Sequence, residues 1–182
     1  MEEEIIQLFN NLDEPNREIQ NESYDKIMRI MNTPVDWTYL VWGKLINSLT
    51  HKDGHVRVRS VQFLCALVAK SDPEERVLED FLKIWAVTYD EKIVTARYSL
   101  QSIWRISLAG QVQKDLIVAR LAKRFQTCIE EKNTTLIRYD IIVSLKKIAE
   151  ATEDQYVLEI ARKLIDKEID QKHKEKYLDA IK

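Results

Sequence analysis

Residues 53–69 read DGHVRVRSVQFLCALVA. An aspartate opens the stretch, an arginine follows at 57, and Leu64 and Leu67 lie seven and ten residues beyond it. Steps of seven and then three return to one face of an α-helix. The same grammar recurs along the chain. Arginine stands at 17, 57, 97 and 138, at intervals of 40, 40 and 41 residues. The matching segments are DEPNREIQNESYDKIMRIM (13–31), EKIVTARYSLQSIWRIS (91–107) and NTTLIRYDIIVSLKKIA (133–149). Seven past each arginine come Tyr24, Leu64, Trp104 and Leu145; ten past come Ile27, Leu67, Ser107 and Ile148. The third copy deviates, because its stripe of Leu100, Ile103 and Ile106 falls one residue early.

Asp13, Asp53, Asp90 and Asn133 precede the arginines and are natural N-caps, since their side chains accept from free N–H groups at a helix start. The intervening stretches, roughly 2–12, 35–51, 73–88, 111–131 and 153–169, carry helical periodicity too. Val118, Leu121, Ala122, Phe125 and Ile129 form one stripe; Val157, Ile160, Ala161, Leu164 and Ile165 form another. Asp170 and Lys174 mark a shorter, polar fifth copy. The acidic MEEE start and this lysine-rich end suit polar end caps of a repeat array. Three Gly and three Pro in 182 residues leave few helix breakers, and no alternating run signals a strand.

A helix pair of about 40 residues, whose second helix opens Asp, then Val-Arg, then spaced apolar residues, resembles the HEAT repeat. Asp53, Val56 and Arg57 carry the likeness best; Ala96-Arg97 and Ile137-Arg138 carry it in part, and Asn16 replaces the apolar residue before Arg17. The resemblance implies an all-α, right-handed superhelix (solenoid) of four to five HEAT-like pairs. A single domain would cover 1–182, with pairs at roughly 1–32, 33–71, 72–110, 111–151 and 152–182. It also implies that the repeated Asp and Arg bond between neighbouring pairs, and that the second helices line a concave side.

Composition narrows the function. A formal charge of -2 provides no global attraction to nucleic acid or an acidic membrane. The second-helix segments sum to +4 and the remainder to -6, so a concave groove would be mildly basic. Cys65 and Cys128 are too few for a disulfide framework or a cysteine zinc site and read as reduced, packed thiols. His51 and His55 have ligand spacing, but Asp53-Gly54 between them breaks the helix, and no metal site is expected. No phosphate-binding glycine loop, nucleophile elbow or HExxH occurs. The acidic start lacks signal-peptide character, and no run of about 20 apolar residues could span a bilayer, so a cytoplasmic protein is expected.

The expected function is a non-enzymatic, protein-binding scaffold without cofactor, taking a protein or peptide segment in the groove. The alternative is a HEAT-like nucleic-acid-binding protein related to alkylpurine DNA glycosylases, disfavoured by the acidity. The candidate binding residues are Arg59, Arg97, Arg105, Arg138 and Trp37. Arg59 lies about 200° around the helix from Arg57, so stacking alone does not account for it. Trp37 and Leu40 exceed what the core stripe of Trp42, Leu45, Ile46 and Leu49 requires.

Overall fold

The computed structural model describes residues 2–182, so Met1 of the expected N-terminal cap lies outside the described residues. Ten α-helices and no strand occur among them. In chain order they form five successive pairs: α1 (Glu2–Asn11) with α2 (Arg17–Ile30), α3 (Thr38–Ser48) with α4 (Gly54–Ser71), α5 (Arg76–Ala86) with α6 (Ile93–Leu100), α7 (Gln111–Thr127) with α8 (Thr134–Thr152), and α9 (Gln155–Ile165) with α10 (Gln171–Ala180); four pack directly, and α5 and α6 meet through the 87–89 segment that both contact. Short 3-10 segments extend three of them at Val87–Tyr89, Ile103–Leu108 and Cys128–Glu130.

Helix starts follow cap chemistry, with local exceptions. Asp53 accepts from the His55 N–H and Asp170 from the His173 N–H. Asn16, not Asp13, caps α2; Asp13 instead holds Lys44 at 3.0 Å. Asn133 occupies its cap position at φ 66° and makes no side-chain cap bond, a left-handed conformation that Asn tolerates. Gly54 begins α4 beside α6. A Cβ there would lie 2.5 Å from Thr95 Oγ1, so the absence of a side chain permits the approach.

The irregular third copy has a structural cause. α6 ends at Leu100, and the chain re-forms as a 3-10 helix over Ile103–Leu108. A 3-10 helix repeats every three residues, and Leu100, Ile103 and Ile106 are all fully buried at that spacing. A similar tightening at 128–130 turns Cys128 inward and leaves Ile129 68% exposed, which removes Ile129 from its expected stripe.

The second helices form a continuous row. α4 packs on α6 and on the 103–108 segment, these pack on α8, and α8 packs on α10. Among the described residues, side-chain hydrogen bonds between different pairs join positions 30 to 47 apart, about one repeat length. One core runs through the row. Leu64, Leu67, Leu145 and Ile148 are at most 1% exposed, as the periodicity requires. α10 is anchored by Tyr177, which is wholly buried, meets Phe125 edge-on and donates to the Thr135 carbonyl at 3.3 Å. Leu64→Ala should therefore cost about 2–5 kcal/mol in urea-unfolding measurements; a loss below about 1 kcal/mol would contradict this packing.

Candidate binding surface

Three repeat-marking arginines are bound between neighbouring pairs. Arg57 donates from Nε and Nη2 to the two Asp90 carboxylate oxygens at 2.6 and 2.8 Å. Arg97 grips Asp140 the same way at 2.7 and 2.9 Å. Arg138 donates to Glu168 at 2.7 Å and to the Phe125 carbonyl at 3.0 Å. Parallel Arg–carboxylate bonds are strong and fix direction. Asp140 is 2% exposed and also accepts from Gln101. Burial pushes the Asp90 carboxyl up, but bonds from Arg57 and the Lys92 N–H outweigh it and hold the group below its ordinary range. Arg97 and Arg138, two candidate binding residues, thus have their charge answered within the chain.

The other candidates separate. Arg59 is half-buried and bonds only neutral acceptors, Gln20 Oε1 at 3.1 Å and the Leu12 carbonyl at 3.4 Å. Burial lowers its pKa, against the pull of Asp53 and Asp13. Arg105 makes no ion pair among the described residues and stands over the Trp104 ring at 5.7 Å. Trp37 is a correction: it is 5% exposed and packed edge-to-face on Phe9 with ring centroids 6.1 Å apart. Its burial comes from a phenylalanine of the preceding pair. Leu40 is 48% exposed, as its surplus position suggested. Trp42 is buried and donates to Asp80 at 2.9 Å.

The surface that sequence reasoning missed lies along the second helices. Lys147 Nζ stands 5.7 Å from the Trp104 ring on the side of α8, and Lys176 Nζ stands 5.0 Å from the Tyr139 ring. Tyr98 is 52% exposed, and Arg97 lies within electrostatic reach of both Tyr98 and Tyr139. Neither Lys147 nor Lys176 makes an ion pair among the described residues, whereas Lys146 is held by Glu150 at 3.7 Å. A cation over an aromatic face is stabilised by the ring quadrupole without losing its charge. The strip therefore offers two aromatic rings, Trp104 and Tyr139, beside three cations that make no ion pair among the described residues, Arg105, Lys147 and Lys176.

The strip opens toward α2. Asp25, Met28, Arg29 and Asn32 of the first pair line one depression with Arg105 of the third, with a volume of ≈ 470 Å³. The intervening α4 bonds the first pair through Tyr24–Gln62 and Lys70–Asn32, each 38 residues apart, and through Arg59–Gln20, 39 apart.

Elsewhere the chemistry is quiet. Cys65 is wholly buried, and desolvation pushes its thiol up to about 12; Cys128 is raised for the same first reason. Thiolate chemistry is thereby suppressed at both. His51 and His55 are exposed, and only His55 lies in α4. No group of three metal-binding side chains occurs among the described residues. No described helix is long and apolar enough to cross a membrane. No family model matches the chain, and no curated protein matches it.

Arg97→Ala would strand the buried Asp140 charge and should cost about 3–5 kcal/mol in chemical denaturation, whereas Arg105→Glu should change stability by no more than about 0.5 kcal/mol. The pH dependence of Asp90 has a definite sign. Its depressed pKa gives stability that is complete above about pH 4 and is lost as pH falls through the folded-state value. Asp90→Asn should flatten the acid limb of the stability curve below about pH 4; an unchanged limb would remove the ion pair from the account.

Proposed function

We propose that this chain is a HEAT-like scaffold, a right-handed superhelix whose second helices line a concave side that binds an acidic segment of another protein. The periodic Arg–carboxylate bonds between neighbouring pairs support the family reading. The 30-to-47-residue reach of the cross-pair bonds supports the superhelix, and the depression shared by α2 and Arg105 supports its curvature. Neighbour-on-neighbour stacking of this kind makes extended recognition surfaces.

The observation that carries the functional reading is the set of cations over aromatic rings along the second helices, Arg105 and Lys147 at Trp104 and Lys176 at Tyr139. Aromatic rings and arginine dominate binding hot spots, because they bury large area at small entropic cost. Unanswered cations among them select carboxylates on the partner and steer its approach. The work is adhesion and orientation; no nucleophile, base or metal is needed for it. Nucleic acid fits less well. Duplex affinity rests on several phosphate contacts, and Arg57, Arg97 and Arg138 are already committed to carboxylates.

An array of peptides of about 15 residues, rich in Glu and Leu and read by fluorescence polarisation, tests this. The intact chain should retain a subset, and Arg105→Glu with Lys147→Glu should weaken it at least about tenfold at unchanged melting temperature. Equal binding by the double variant would refute the strip. Submicromolar duplex binding near about 150 mM salt, with a steep salt slope, would replace the protein-binding reading.

A further inference from the structure

In three turns an acid stands three residues ahead of the second helix: Asp90 before α6, Glu131 before α8 and Glu168 before α10. Asp90 and Glu168 answer the repeat arginine of the preceding pair, Arg57 and Arg138, whereas Glu131 answers Arg124 of its own pair. Before α4 the same position is His51. The equivalence is structural as well as numerical. His51 Nδ1 accepts from the N–H two residues on, of Asp53, at 3.0 Å. Asp90 accepts likewise from Lys92 at 2.9 Å, and Glu168 from Asp170 at 3.1 Å. The turn bond thus recurs at His51, Asp90 and Glu168, though not at Glu131, and among these three the negative charge is missing only at His51.

The arginine that the repeat assigns to this copy is Arg17. It is exposed and makes no ion pair among the described residues, unlike Arg57, Arg97 and Arg138. Arg17 and His51 line one depression of ≈ 760 Å³, together with Arg59, His55 and Lys44. Two carboxylates also line it, against the three cations Arg17, Lys44 and Arg59. Asp13 holds Lys44 at 3.0 Å, and Asp53 caps α4 through the His55 N–H at 2.9 Å. Because His51 Nδ1 accepts, the neutral ring carries its proton on Nε2, as a donor. The free donors are then the Arg17 fork, His51 Nε2–H and the N–H groups of Arg59 not spent on Gln20 and Leu12.

We infer that this depression is an oxyanion site, in which a carboxylate or phosphate group seats against Arg17 and His51 and supplies the rung the chain lacks. A guanidinium fork matches either group through two parallel N–H bonds. The site lies at the turns of the first two pairs and does not depend on the aromatic strip.

Sodium phosphate and sodium acetate, titrated separately into the intact chain at constant ionic strength and followed by the imidazole resonances of His51 and His55, provide the test. Saturable shifts with phosphate alone assign a phosphate ligand, and saturation with acetate as well assigns a carboxylate; either supports the site. Arg17→Gln should weaken the binding about tenfold or more, the loss of a charged hydrogen-bond pair. His51→Asp keeps the turn bond and installs the missing acid, so it should raise the melting temperature and abolish the anion effect. Charge reversal at Arg105 and Lys147 should leave the titration unchanged. The inference is overturned if neither anion saturates, if Arg17→Gln binds as well as the parent chain, or if His51→Asp leaves both melting temperature and anion affinity unaltered.

Discussion

A buried carboxylate is tolerated only when a cation meets it with good geometry, because an unanswered charge in a low-dielectric interior is strongly destabilising. Asp140, at 2% exposure, sits in α8, and the group that answers it, Arg97, belongs to α6 of the preceding pair. Asp90 depends on Arg57 in the same way, and Glu168 on Arg138. The third, fourth and fifth pairs therefore each carry a charge that the preceding pair neutralises. The apolar flanks would allow neighbouring helices to slide; the two-point Arg–carboxylate bonds fix the register at which they meet.

That fixed register explains why the third pair can break its helix without breaking the array. The 103–108 segment rises faster and repeats every three residues, but Leu100, Ile103 and Ile106 still face inward. With every third residue buried, the two between turn outward together. Trp104 and Arg105 are such a pair, and they stand at the centre of the proposed recognition strip. The local departure from α-helical geometry is thus what turns an aromatic ring and a cation outward side by side.

Periodicity made much of this legible. The arginines at 17, 57, 97 and 138 located four of the five second helices, and the apolar steps beyond them located the core residues Leu64, Leu67, Leu145 and Ile148. The acids that answer those arginines were legible only in part: Asp90 and Glu168 share the turn position three residues before a second helix, but Asp140 lies inside α8, two residues after Arg138. Trp37 misled for a similar reason. Its burial depends on Phe9, a residue of another pair that its own helical wheel cannot reveal. Trp104, Tyr139 and Lys176 emerged as a strip only once the offset between second helices was known, and sequence alone leaves that offset open.

The short reach of the cross-pair bonds also governs how the chain acquires its shape. Closing a loop costs conformational entropy that grows with its length, and here no side-chain bond among the described residues closes more than 47 residues. Assembly can start at any well-formed pair and grow outward, each new pair docking on an existing template, without waiting for distant segments to meet. Such a chain folds by extension, as a crystal grows from a seed. Damage behaves in the same way: a fault at one interface weakens the two pairs it joins and reaches the rest only through them, so distant substitutions should act independently.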